Sequence, residues 1–362
     1  MQFLKHPSLL VSAALALAPG GPVSAQAGGA ASAAEARSGD PADPLRYGQR
    51  EDVMRFADEV AQRQGLDASW VRAALERARF SAPVTRFIMP AATVAAKNWA
   101  AYRGRFVEPL RIRAGLAFWR ANERWLALAE ERFGVPSEIV IGVIGVESIF
   151  GQQTGNFRVI DALATLAFDF PTGRSDRAPF FRDELEAFLL MCRKNDMGPL
   201  DVKGSYAGAI GMPQFLPSSV LKYAVDLDED GRIDLNDSPA DVIGSVANYL
   251  FTFGWQRGMP THFGVTPPPE TADRAALLVP DIVPSFDAQE FARRGAALNT
   301  AGQSFEGLMA LVELQNGGAA PSYVAGTANF YVITRYNWSS YYALAVIELG
   351  EAIARERGRA LR

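Results

Sequence analysis

Glu147 closes an almost uncharged run, Ile139-Val-Ile-Gly-Val-Ile-Gly-Val-Glu147-Ser-Ile-Phe-Gly151. A carboxylate in such company gives up water, and desolvation disfavours its charged form, so its pKa is expected to rise. Val140, Val143, Ile144 and Glu147 fall on one face by helical spacing. Glu147 also sits in the last turn before Gly151, where the negative end of the helix dipole pushes the pKa further up. A carboxyl group kept protonated near neutral pH is a general acid.

A second pattern is acidic and open: Asp226-Leu-Asp228-Glu-Asp230-Gly231-Arg232-Ile233-Asp234-Leu-Asn-Asp237. It follows the EF-hand loop, with acids at positions 1, 3 and 5, glycine at 6 for the sharp turn and an apolar residue at 8. Asp226, Asp228 and Asp230 would offer side-chain oxygens to Ca2+, and Arg232 its carbonyl. Position 12 carries Asp237 where glutamate is usual, one methylene short. Either the loop tightens around Asp237 or Asp241, a turn later, reaches back. Calcium here is expected to be structural.

The third pattern is Lys203-Gly-Ser-Tyr-Ala-Gly-Ala-Ile-Gly-Met-Pro-Gln-Phe-Leu-Pro-Ser-Ser219. Its glycines let backbone approach a ligand closely, and Ser205 and Gln214 offer neutral hydrogen bonds. The fourth is aromatic: Tyr249, then Tyr331, Tyr336, Asn337, Trp338, Tyr341 and Tyr342. Aromatic faces with amides beside them suit pyranose rings.

These patterns need elements to hold them. The chain has 362 residues, 49% hydrophobic and 21% charged, which is ordinary globular composition with ample length for a large core. Two histidines, His6 and His262, leave almost no material for a zinc site or a Ser/His/Asp triad. A net charge of -4 argues against nucleic acid as a partner. The one cysteine, Cys192, cannot form an internal disulfide and reads as a buried small hydrophobe. Residues 1–25 have the basic start, short apolar segment and small-x-small site of a secretory signal peptide, too short to span a bilayer. Residues 26–44, rich in Ala, Gly, Ser, Asp and Pro, read as a flexible tether.

Helical periodicity covers about 50–79 and 113–133. Ser137 is placed to cap an apolar helix whose Gly142 and Gly145 admit a close neighbour. Further helices are expected at 161–168, 180–194, 241–253 and 339–355, with an irregular stretch at 204–219. Strands are expected at 276–280, 308–314 and 330–334, the first two inside a small β-containing insertion at 261–322.

Taken in order, Gly145-Val-Glu-Ser-Ile-Phe-Gly151, the 203–219 stretch, the acidic loop and Gly244-Ser-Val-Ala-Asn-Tyr249 resemble the lytic murein transglycosylase B family. The resemblance runs from about residue 45 to the C-terminus. It implies a mainly α (α+β) fold: a flanking helical domain at 45–130, a lysozyme-like core at 131–260 with the EF-hand-like loop 226–237, the β-containing domain at 261–322 and a C-terminal segment, 323–362, returning to the core. It puts Glu147 on the catalytic acid/base position and Ser205, Gln214, Tyr249, Tyr336, Asn337, Tyr342 and Arg177 on substrate-contacting positions. The loop ahead of Arg177 is longer than the family's pattern. The implied substrate is the peptidoglycan glycan strand, acted on by a monomer, with cell-wall synthesis proteins as further partners. The sequence has no cysteine at the cleavage site, which departs from lipid-anchored members of the family and predicts a soluble periplasmic form without a membrane span.

One carboxyl group suffices if the substrate supplies its own nucleophile, whereas ordinary glycosidases need two. Around the cleft motifs only Glu147 is evident; the other acids fall in the calcium loop or in charged, surface-type helices. A muramidase using Asp161 or Asp169 as a second carboxylate is the first alternative. A non-catalytic, calcium-stabilised peptidoglycan-binding protein is the second.

Overall fold

The structure, a computed structural model, describes residues 46–90, 97–173 and 175–360; the expected signal peptide and tether lie outside them. Helices dominate. The 50–79 periodicity resolves into Glu51–Gln64 and Ala68–Glu76. Gly65 takes a left-handed conformation (φ 63°) and Asp67 accepts the Trp70 N–H, so the sequence itself ends one helix and starts the next.

The helix Glu123–Phe133 stops at Gly134 (φ 72°), and Ser137–Ser148 follows. Ser137 is not its cap. Pro136 holds that position, and Ser137 is the first helical residue. Both its N–H and its hydroxyl donate to Glu130 Oε2, at 3.0 and 2.7 Å. A carboxylate from the preceding helix thus meets the orphan donors and the positive end of the dipole.

Ser137–Ser148 is buried on nearly every side. Its main neighbour is the C-terminal helix Ser340–Ala360. A Cβ on Gly142 would lie 2.2 Å from the Val346 carbonyl oxygen, and one on Gly350 would lie 2.0 Å from that of Glu138. The two backbones therefore touch at glycines. The expected close approach is found at Gly142, and it brings residues 340–349 beside the end of the central helix.

One hydrophobic cluster runs from Tyr47 through Ile144, Phe188 and Leu250 to Ile353. A second, smaller one centres on Phe263, Leu277, Phe291, Met309 and Leu311. The second belongs to a four-stranded antiparallel sheet. In chain order the strands are β1 (Phe157–Arg158) and β2 (Lys203–Gly204), which pair with each other, then β3 (His262–Thr266), β4 (Ala297–Leu298), β5 (Ala310–Asn316) and β6 (Ala319–Gly326), arranged β4-β3-β6-β5. β5 is the strand expected at 308–314, two residues on.

The other two expected strands are helical. Residues 276–278 close the helix Thr271–Leu278, where only Leu277 is buried. Residues 330–334 belong to Ala328–Thr334, which Thr327 caps by accepting the Asn329 N–H. Short apolar runs carry no usable period, and in the second case the cap decided.

Candidate active site

Glu147 lies in the last turn of the central helix, and three left-handed residues follow it: Ile149 (φ 52°), Phe150 (φ 55°) and Gly151 (φ 86°). For a β-branched and an aromatic residue this costs on the order of 1–3 kcal/mol each. Packing offsets it. Ile149 is 7% exposed, and Phe150 packs in a tilted arrangement on Phe118, centroids 5.2 Å apart, and sits over Gly115 and Gly145. Burying such side chains contributes about 1.5–3 kcal/mol apiece. The buried Arg111 donates its Nε–H to the Gly145 carbonyl at 3.0 Å, satisfying the helix end from the other side.

Tyr342, on the C-terminal helix, donates its hydroxyl to Glu147 Oε1 at 2.7 Å. Burial pushes the Glu147 carboxyl up to about 7, and the Tyr342 bond opposes that rise. The carboxyl faces a pocket of about 40 Å³ whose walls include Gln214, Leu216, Ser219, Tyr249, Tyr336 and Asn337. A groove of about 580 Å³ shares Leu216, Ser219 and Tyr249 with it and continues past Arg177, Phe180, Lys222 and Phe253. The result is a cleft with one acid at its narrow end.

Gln214 is held at φ 51° and donates to the Thr154 and Gly211 carbonyls. Its Oε1 is buried and has no hydrogen-bond partner among the described residues. A spare acceptor therefore sits in the pocket wall. Asn337 joins the same wall.

The remaining expected contacts are placed differently. Ser205 is buried, and its Oγ accepts from Ala207 and Ala209, so it shapes the loop behind the wall. Tyr249 donates to the Arg335 carbonyl at 2.7 Å and Tyr336 to that of Pro213. Their rings pack on each other, 4.8 Å apart. Tyr249, Tyr336 and Tyr342 are only 4%, 8% and 2% exposed, so they form the wall rather than open stacking faces. Arg177 precedes the helix Ala178–Lys194, lies 4.6 Å from the Phe180 ring centroid and lines the wider groove, away from the Glu147 pocket.

Three carboxylates change the sequence reading. Asp161 is paired with Arg158 and accepts the Arg79 N–H. Asp169 is paired with Arg50 and accepts from Tyr47. Neither lines the pocket, so neither is available as a second catalytic acid. Glu184 corrects the expectation that the other acids lie in the calcium loop or on surface helices: it is 4% exposed and borders the groove. Burial raises its pKa, and both its oxygens are engaged by the Ser218 N–H and hydroxyl. It fastens the segment that carries Leu216 and Ser219.

Tyr102 escaped sequence reading altogether. Burial, with a contribution from Glu147, raises its hydroxyl to about 12, which places it in the field of the acid.

In the acidic loop, oxygens of Asp226, Asp228 and Asp230 lie within 4.8 Å of one another. Asp228 Oδ1 is buried with no hydrogen-bond partner among the described residues. Asp226 accepts the N–H groups of Asp230 and Gly231, with Glu229 and Gly231 at positive φ. An orphaned buried oxygen among clustered acids suits a hard cation. Asp237 is exposed and falls outside that group. Asp241 is spoken for: its two oxygens accept the Leu227 and Asp234 N–H groups, bracing both arms of the loop.

The transglycosylase SLT domain family matches residues 48–351. This chain belongs to that family. Within it, the chain is 37% identical over 322 residues to "Membrane-bound lytic murein transglycosylase B" of Escherichia coli K12, covering 86% of this chain and 85% of that protein. The Escherichia coli lytic transglycosylase Slt35, solved in complex with calcium, superposes with a TM-score of 0.75 at 37% identity, covering 85% of this chain and 94% of that one. SltB3 of Pseudomonas aeruginosa, solved with NAG-anhNAM-pentapeptide, gives 0.70 at 29% identity, covering 83% and 79%. The chain is thus a lytic murein transglycosylase of the B type, with a lysozyme-like, mostly helical fold.

Proposed function

We propose that this transglycosylase cleaves the β-1,4 bond between N-acetylmuramic acid and N-acetylglucosamine in peptidoglycan and leaves a 1,6-anhydromuramyl end. The observation that carries the reading is Glu147: a single carboxyl at the head of the cleft, with burial raising its pKa to about 7 and no second carboxylate among the described residues that line its pocket. Protonated Glu147 gives its proton to the glycosidic oxygen as the C1–O bond breaks. The resulting carboxylate takes the proton of the muramyl C6 hydroxyl, whose oxygen closes on C1. Atoms balance without water, and Glu147 ends protonated, ready for the next bond.

Tyr342 fixes the rotamer of the acid and stabilises the carboxylate halfway through. Gln214 Oε1 and Asn337 are the polar wall available to the sugar's amide and hydroxyls. Asp226, Asp228 and Asp230, with the Arg232 carbonyl and Asp237 to close the shell, would hold calcium. The ion supplies charge neutralisation that ties the loop, and no step runs through it. Peptidoglycan places the enzyme in the periplasm, exported by the N-terminal leader. No helix among the described residues is long and apolar enough to cross a membrane.

Mass spectrometry of sacculi digested with the purified protein tests this. Anhydromuramyl ends are expected. Products heavier by one water would replace the proposal with a hydrolytic muramidase, and intact sacculi would leave a binding protein.

A further inference from the structure

The aromatic side chains that sequence reading assigned to sugar stacking are mostly sealed in the cleft wall. Trp338 is the exception, 42% exposed. It occupies the turn between the helices Ala328–Thr334 and Ser340–Ala360, directly after Asn337, whose side chain lines the Glu147 pocket. The Ser339 N–H donates to the Asn337 carbonyl at 2.7 Å and closes the turn.

The indole is buttressed although exposed. Tyr331 meets it edge-on at 5.8 Å, and the Arg335 guanidinium lies 5.4 Å from its centroid. Arg335 also lies 5.4 Å from the ring of Phe253, which lines the wide groove, and its carbonyl takes the Tyr249 hydroxyl. Among the described residues no carboxylate pairs with Arg335, so the guanidinium serves the aromatic cluster. A buttressed, solvent-facing indole, one position along the chain from Asn337 in the pocket wall and linked through Arg335 to Phe253 in the groove wall, has lost rotational freedom before any ligand arrives.

We propose that Trp338 is a glycan subsite: its exposed face stacks on a pyranose of the peptidoglycan strand as the strand leaves the Glu147 pocket. The occupant follows from the indole's neighbours, Asn337 in the pocket wall and Phe253 in the groove wall through Arg335, and from the chemistry of the face, which suits the C–H side of a sugar ring. This rests on the transglycosylase reading of the cleft.

Binding of purified peptidoglycan glycan strands is measured by calorimetry in the Glu147→Gln background, where the strand is not consumed. Trp338→Ala in that background should bind about 3- to 10-fold more weakly, with Trp338→Tyr within about twofold of its parent. In the active enzyme, Trp338→Ala should raise KM more than it lowers kcat. Equal binding by the Ala variant, or equal loss in the Tyr variant at unchanged melting temperature, overturns the subsite. If Glu147→Gln itself binds no strand, the transglycosylase reading falls and the subsite with it.

Discussion

Two carboxylate-bearing regions of this chain use the same group in opposite ways. Glu147 stands alone, in a pocket that denies it water and lifts its pKa to about 7. Asp226, Asp228 and Asp230 stand together on a partly open loop, within 4.8 Å of one another. In the first region isolation and burial favour the protonated form of the carboxyl. In the second, mutual proximity and oxygen-only geometry favour a divalent cation. The difference teaches that surroundings, more than residue type, decide whether a carboxyl moves protons or holds metal.

The largest expected effect breaks the first region. Glu147→Gln keeps the shape but has no proton to give, and should lower lysis of purified sacculi by at least about 10²-fold. Activity within about tenfold of the parent would mean that another acid does the work and the comparison is wrongly drawn.

The next effect belongs to the second region. Adding calcium to chelated protein should raise the melting temperature, by an amount equivalent to about 2.7 kcal/mol at a hundredfold excess over Kd. Asp228→Ala, which removes the orphaned buried oxygen, should blunt that rise while lytic chemistry survives where the fold does. A calcium response unchanged in Asp228→Ala would show that the loop is not where the ion binds.

A smaller effect sharpens the account of the acid. Tyr342→Phe removes the bond that favours the ionised form of Glu147, so the Glu147 pKa should move above about 7. The alkaline limb of the kcat profile, where the acid is lost as pH rises, should shift to higher pH. The rate at neutral pH should fall by roughly tenfold or less, in line with one hydrogen bond to a charged group. A limb that stays in place would uncouple Tyr342 from the acid.

The smallest effect is on stability. The folded-state pKa of Glu147 lies above the ordinary 4.5, so the folded state favours the protonated form. The folded protein therefore loses stability as pH rises from about 4.5 to about 7. Glu147→Gln removes that loss, and its melting temperature relative to the parent should be higher at pH 8 than at pH 5. A difference independent of pH would show that Glu147 is not held protonated.

Much of this was legible in the chain. The apolar run around Glu147 announced a desolvated carboxyl, because desolvation can be read from neighbours in sequence when a helix is buried all round. The acidic cluster was legible because Asp226, Asp228 and Asp230 lie within five consecutive positions. The 276–280 and 330–334 segments were misread because short apolar runs have no period. Glu184 and Tyr102 were invisible because their partners, Ser218 and Glu147, are 34 and 45 positions away in sequence.

The sequence by itself determined the local chemistry: one glutamate in an apolar helix end, an acidic loop of EF-hand pattern, the glycine at 142 that lets two backbones touch. Tertiary structure alone decided what each polar atom faces. It brought Tyr342 across 195 residues to Glu147 and tied Asp161 and Asp169 into ion pairs. It sealed Tyr249 and Tyr336 in the wall and left Trp338 open. A hydrogen bond depends on fractions of an ångström and on direction, and those are fixed only when distant elements have packed.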